Sequence, residues 1–400
     1  MHYGWYIVAS VFTAQLFLSG FFSYGFSLFV EPIEQAFSAS RTEVMYSMTF
    51  ATVVGLLTSP LVGSWVDRYS PRWLLTAGAA LLGGGLWLIA HSQNIYQFAL
   101  IFGVSTGLAN LLLGPLTGST TISRWFSANR GRALGISAAG TSVGGMLVPW
   151  LIAYWLNAGD WRSTMQNLSY CVLLIVLPMV ALLVRAHPQT TAASAGASGV
   201  PPVAGQDLSF RDIVRHRGYW AIGLTMGLLF CVYSALLAHL SPYATGLGAN
   251  KVEAARLIMV VSACGLFGKL VFGFAADRIN LRTGLWIAIG LVMVGLLILA
   301  MEPSYTLIVA GSAVLGLAAG GMLPIWGALL AVVFGLVSYG RVMGLMTPLI
   351  TVTVMPGFTF AGWMFDLNGG YRECFLVFVV LLAGAALLLR MLQLPAREAA

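Results

Sequence analysis

The stretch Gly63-Ser64-Trp65-Val66-Asp67-Arg68, with Arg72 four residues on, decides the architecture because it occurs twice. It returns as Gly273-Phe274-Ala275-Ala276-Asp277-Arg278, with Arg282 four residues on, at an offset of 210. Two further pairs keep that spacing. Gly131-Arg132-Ala133-Leu134-Gly135 recurs as Gly340-Arg341-Val342-Met343-Gly344 at 209, and Trp161-Arg162 as Tyr371-Arg372 at 210. Three short motifs at one offset mark a duplicated chain, and a repeat fixes the architecture of the whole.

Composition says where the duplicated chain lives. Of 400 residues, 59% are hydrophobic and 8% charged, against about a quarter charged in soluble domains. So few charges cannot solvate a globule of this size, whereas lipid requires an apolar exterior. The net charge of +7 would raise nucleic acid as a partner in a soluble protein. Here the charges fall between apolar runs, so they read as orientation signals and nucleic acid is not expected. The four cysteines lie inside apolar runs without metal-type spacing, so neither a disulfide framework nor a metal site is expected. The first apolar run starts almost at Met1. It is too long for a signal-peptide core and lacks a basic leader, so it reads as a retained first span.

A spanning helix needs about 20 mostly apolar residues. Twelve stretches qualify: 5–30, 43–66, 73–91, 95–123, 131–156, 163–185, 219–246, 253–276, 283–301, 304–335, 342–365 and 372–393. The expected fold is all-α: twelve transmembrane helices in two pseudo-symmetric six-helix bundles, residues 1–186 and 219–400, around a central cavity. Residues 187–218 join them. Pro188 to Gln206 is rich in Ala, Ser, Gly, Thr and Pro and reads as a flexible linker. Ser209 to Arg217 is a short basic amphipathic stretch, expected on the membrane surface with its arginines toward lipid phosphates. With both termini in the cytoplasm, fourteen Lys and Arg fall on that side and five on the other (Arg41, Arg162, Lys251, Arg256 and Arg372). That bias supports an even number of spans and this orientation.

The Gly-x-x-x-Asp-Arg loops after the second and eighth spans resemble the signature of the major facilitator superfamily, and the resemblance covers nearly the whole chain. It implies two six-helix bundles, a central substrate cavity and rocking between inward-open and outward-open states. By physics alone, Gly63 lets another helix pack closely. Asp67 can accept from free N–H groups at a neighbouring helix start, where the dipole favours an anion. The superfamily pattern places that start near Arg341, and symmetry pairs Asp277 with the start near Arg132. Gly63, Asp67, Arg68, Arg72, Gly273, Asp277, Arg278, Arg282, Arg132 and Arg341 form the expected gating set. The alternative is a solvated charge cluster that only fixes topology. Ser123-Arg124-Trp125-Phe126, Asn129-Arg130-Gly131-Arg132 and the Gly140-x-x-x-Gly144-Gly145 that follows are similar to the fourth-to-fifth helix junction of monocarboxylate and oxalate/formate porters. The opening Tyr3-Gly4-Trp5-Tyr6 is similar to the start of many bacterial members.

Lys269 lies well inside a span, eight residues before Asp277. That is about 12 Å from the helix end at 1.5 Å per residue, in a hydrocarbon core about 30 Å thick. A lysine there costs about 2.5 kcal/mol or more. No Asp or Glu lies at comparable depth, so the counter-charge can be the cargo. In the porters that the chain resembles, an Arg at this place binds the substrate carboxylate. Here it is Lys, a point charge that gives up its proton on burial more readily than Arg. Loss of that proton from the empty site, and its return with the anion, would couple transport to protons. Alternatives are a structural or gating role, or a lysine snorkelling to the interface. Ser262, Gly265 and Gly273 share its helical face, which suits a cavity or tight packing.

Five further side chains stand at membrane depth. His239 precedes Ser241-Pro242-Tyr243, where the helix can kink. It can protonate with substrate or bond a backbone carbonyl. Asn110 and Gln15 can bond substrate or cross-link helices. Tyr24 and Trp326 can line a wall or face lipid. The leading expectation is a secondary active transporter of a small organic anion, a monocarboxylate, by proton symport or anion exchange. It would act as a monomer in the plasma membrane, the inner membrane in a prokaryote, without a cofactor. Polyspecific efflux of lipophilic compounds is the alternative. The five histidines show no metal spacing and no nucleophile constellation is present, which speaks against a membrane enzyme. No catalytic residue is assigned, and no soluble sensor domain is seen.

Overall fold

The computed structural model describes residues 3–126, 130–185, 208–276, 280–302 and 304–391. The stretch read as a flexible linker, 188–206, lies outside the described residues. No strand occurs among those described. Among the described residues, ten helices are long and apolar enough to cross a membrane: Gly4–Phe37, Arg41–Gly63, Pro71–Ala90, Ile95–Ile122, Ala133–Ala158, Trp161–Leu183, Arg217–Gly246, Leu281–Ala300, Tyr305–Phe334 and Val342–Asn368. Helices Lys251–Ala276 and Arg372–Leu388 take the places of the eighth and twelfth expected spans. In chain order these are spans 1 to 12.

Several boundaries need correcting. The first span runs to Phe37 rather than to 30. Within it, Gly20–Gly25 is a π-helical turn and Phe26–Phe29 a 3-10 turn. Span 4 is broken: Ile95–Leu112 ends at Leu113, Gly114 is extended, and Pro115–Trp125 starts anew. Spans 10 and 11 form one unbroken helical run, Tyr305–Asn368. Twenty residues of straight helix cover about 30 Å, yet Trp326 Nε1 reaches Met346 Sδ at 3.2 Å. The run is therefore a hairpin whose turn keeps helical hydrogen bonding. Pro242 sits inside the continuous helix Arg217–Gly246.

Sequence chemistry sets the ends. Ser40 and Glu43 form a reciprocal cap on span 2, and Asp160 with Ser163 does the same for span 6. The N–H and hydroxyl of Ser163 hold the Asp160 carboxyl below its ordinary range. Between spans 1 and 2, Arg41 grips Glu34 bidentately, Nε to Oε1 at 2.6 Å and Nη2 to Oε2 at 2.7 Å. Such a fork pins the turn in register.

The chain resolves into two units, Met1–Ser198 with Leu237–Met259, and Gly199–Leu236 with Val260–Ala400. Each is packed by the same three helix pairings. In the first, span 1 lies along 5, 2 along 4 and 3 along 6. In the second, Gly223 and Gly227 of span 7 abut Leu349 and Thr353 of span 11, Gly316 of span 10 abuts Val261 of span 8, and Trp286 of span 9 donates to Ala386 O of span 12. The correspondence reaches single residues. A Cβ on Gly107 would fall 2.6 Å from Ala51 O, and one on Gly316 would strike Val261 O. These are the same contact, displaced by 209 and 210 residues. Close backbone approach of this kind is how membrane helices pack where lipid offers no hydrophobic drive.

Candidate functional site

Lys269 is half-buried on span 8. Its placement is set by glycine against glycine. A Cβ on Gly320 of span 10 would come within 2.5 Å of Lys269 N and 2.7 Å of Gly268 C, and one on Gly265 would lie 3.4 Å from Gly316 O. Of the two arrangements open to the small residues on this face, Gly265 takes tight packing, because a Cβ on Gly320 would also strike Gly265 O. Span 8 is helical without interruption from Lys251 to Ala276. Lys269 is therefore eighteen residues, about 27 Å, from the end that carries Lys251. Trp326 is in the same unit, buried on span 10, with its ring edge-on to Phe230 at 6.4 Å. Its N–H donates to Met346 Sδ, so it helps hold the span 10–11 hairpin.

The other residues lie in the first unit. Gln15 is buried, and its amide nitrogen falls 3.2 Å from a Cβ built on Gly118. It therefore packs against the second piece of span 4. Asn110 is exposed in the last turn before the break at Gly114. Thr117 Oγ1, beyond the break, donates to Leu111 O at 3.0 Å, which satisfies a carbonyl that the interruption would orphan. Tyr24 is half-buried within the π turn of span 1. The extra residue of a π turn re-aims the side chains beside it and marks functional sites more often than chance. It stands where span 1 packs on span 5: a Cβ on Gly20 would lie 2.6 Å from Val148 Cγ2 and 2.8 Å from Gly144 O. His239 is buried within Leu237–Met259. The π turn and the broken fourth span escaped sequence reasoning. The adjacent pair Gly114-Pro115 was the available signal for the second.

Of the expected gating set, Arg68 and Arg72 are exposed. Arg282 lies over the Trp286 ring at 4.8 Å. Asp277 and Arg278, and the side chains of Asp67, Arg132, Gly273 and Arg341, lie outside what is described. A Cβ on Gly63 would meet nothing within 4 Å among the described residues. The junction motifs do meet. Tyr3 lies 5.4 Å from Trp125, and Trp5 lies 5.2 Å from Phe126. Tyr3 OH donates to Leu183 O, Trp125 Nε1 donates to Arg185 O, and the Arg185 guanidinium covers Tyr3 at 5.1 Å. The opening Tyr3-Gly4-Trp5-Tyr6 and the Trp125-Phe126 pair thus close one end of the first bundle together with the end of span 6.

The chain matches the family model described as Major Facilitator Superfamily over residues 12–301 and 253–400. Among curated relatives, the Fujikurins efflux protein of Gibberella fujikuroi is 27% identical over 81% of this chain and 67% of its own. Monocarboxylate transporter 13 of Bos taurus is 24% identical over 97% of this chain and 89% of its own. Monocarboxylate transporter 2 of Homo sapiens is 23% identical over 94% and 82%. Among solved structures, an inward-facing bacterial homologue of the human lysosomal transporter Spinster superposes with a TM-score of 0.78 at 17% identity, covering 97% of both chains. A D-xylose-proton symporter gives 0.74 at 16% identity over 97% of both. At these identities the structural likeness concerns the fold.

Proposed function

The chain belongs to the Major Facilitator Superfamily, and within it we propose a secondary active transporter of a small organic anion, a monocarboxylate. Family and fold are those of transporters. The observation that carries the finer reading is Lys269, a cation inside span 8 held against Gly320 by backbone packing. An ammonium at that depth favours a bound anion, because a carboxylate neutralises it where water is scarce. Relatives that include monocarboxylate transporters over nearly the whole chain support the same class of cargo. Lys269 binds the carboxylate. Gln15, Tyr24, Asn110, His239 and Trp326 are proposed as further substrate-binding residues, and the paired Gly-x-x-x-Asp-Arg loops as gates. Transport proceeds by alternating access with proton symport or anion exchange, in the plasma membrane with both termini in the cytoplasm. The resemblance to the Fujikurins efflux protein favours one other reading, export of a lipophilic compound.

Uptake of a panel of radiolabelled carboxylates into proteoliposomes separates the two. Lys269→Ala should abolish saturable uptake while Lys269→Arg retains part of it, both variants melting near wild type. Unchanged uptake by Lys269→Ala removes the anion site. Absence of any carboxylate uptake, together with altered sensitivity of cells to lipophilic compounds, favours export.

A further inference from the structure

Ahead of span 7 stands a separate short helix, Phe210–Arg215. Its one buried apolar side chain is Ile213, while Phe210 is 60% exposed. Arg211 and Arg215, one helical turn apart, are exposed, as is Arg217 at the start of span 7. The single carboxylate of the helix does not offset them freely. Asp212 Oδ2 accepts from Ser209 Oγ at 2.5 Å and Ser209 N at 3.1 Å as part of the helix cap. Trp220 completes the patch, half in the open, its Nε1 donating to Val214 O at 2.8 Å.

The level of this patch follows from length. Span 7 has 30 residues, Arg217–Gly246, or about 45 Å, which matches a bilayer including its headgroup layers. Arg217 therefore sits among headgroups, and the bond from Trp220 Nε1 to Val214 O keeps the preceding helix beside it. Exposed arginines beside exposed aromatic rings match that layer, where anionic phosphates and the edge of the hydrocarbon meet.

The opposite side of the segment is tied to the turn between spans 10 and 11. Leu208 N–H donates to the buried Ser338 Oγ at 2.9 Å. The His216 ring meets Phe334 edge-on at 5.1 Å, and Tyr219 OH donates to Leu345 O at 2.9 Å. These ties bracket Gly340-Arg341, the repeat of Gly131-Arg132. We infer that Phe210, Arg211, Arg215, Arg217 and Trp220 form a docking surface for anionic phospholipid headgroups, and that lipid held there steadies the turn between spans 10 and 11. The inference does not depend on the cargo, and its test does not read transport.

Backbone hydrogen exchange of the full-length protein in lipid nanodiscs provides the test. Discs of phosphatidylcholine alone are compared with discs of equal parts phosphatidylcholine and phosphatidylglycerol. Exchange across Phe210–Arg217 and across Ser338–Gly344 should be slower in the anionic discs, by about fivefold for each arginine engaged. The triple variant Arg211→Gln, Arg215→Gln, Arg217→Gln should lose the difference in both segments, with exchange in spans 1 to 6 unchanged as the control for folding. Four results would each overturn the inference: equal exchange of the wild type in both lipids, a difference that survives the triple substitution, the same protection from inorganic phosphate added to phosphatidylcholine discs, or a helix that responds while the turn does not.

Discussion

Alanine at Gly63 and alanine at Gly320 should move stability in opposite directions, although both glycines sit inside helices. The added Cβ at Gly320 would lie 2.5 Å from Lys269 N and 2.7 Å from Gly268 C, both backbone atoms. Only a shift of span 8 from span 10 relieves that, at about 1–3 kcal/mol of overpacking. At Gly63 nothing among the described residues stands within 4 Å, and alanine for glycine in a helix gains about 0.5–1 kcal/mol. Melting in detergent, followed by tryptophan fluorescence, should place Gly320→Ala below wild type and Gly63→Ala at or above it. A lower melting temperature for Gly63→Ala would mean that another part of the chain packs against this glycine. If Gly63 also serves gating, its alanine variant should transport more slowly while remaining stable. A merely topological glycine would transport normally.

At the scale of the element, caps and breaks shape these helices more than propensity does. The Asp160 cap on span 6 has a pH signature. Its carboxyl is held below the ordinary range by Ser163, so ionisation is easier in the folded chain than in the unfolded one. The stabilisation is fully present above the unfolded value near 4 and fades as pH falls through the lower folded value. Asp160→Ala should cost about 1 kcal/mol at neutral pH, and the gap from wild type should narrow on acidification below about pH 4. Asp160→Asn keeps an accepting oxygen and should melt without that acid dependence. An equal acid response in wild type and Asp160→Asn would assign the effect elsewhere. The breaks were harder to read in advance. Pro60, Pro149, Pro242 and Pro356 all stay within continuous helices, because neighbouring helices resatisfy the backbone. Proline alone therefore does not mark an interruption in a span. Pro115 does so because Gly114 precedes it and takes the extended conformation that a residue before proline favours. The π turn of span 1 has no such signal. It lies against span 5, a contact that composition does not encode.

Across the whole molecule, the duplication was plain in the sequence because Asp-Arg loops and glycine contacts must recur wherever the same helix pairs recur. Lys269 was equally plain, since a charge inside an apolar run needs no structure to be seen. Its repeat partner at an offset of 210 is Ser59, whose hydroxyl donates to Leu56 O within its own helix. The two halves thus share a scaffold and differ at the position proposed to bind the cargo. What the repeat alone could not reveal is that Leu237–Met259 groups with the first unit, although it comprises the end of span 7, the loop after it and the start of span 8. This segment carries Ala244, Ala254, Leu257 and Ile258, all fully buried. Removing it exposes apolar surface, at about 25 cal/mol for each Å² returned to water or left unpacked. A chain divided after residue 186 tests this. Co-expressed pieces 1–186 and 187–400 should co-purify and melt together, whereas 1–186 alone should melt well below the pair for want of its Leu237–Met259 segment. A first piece as stable alone as in the pair would mean that six spans suffice for the first unit, and that the contacts of Leu237–Met259 contribute nothing to it.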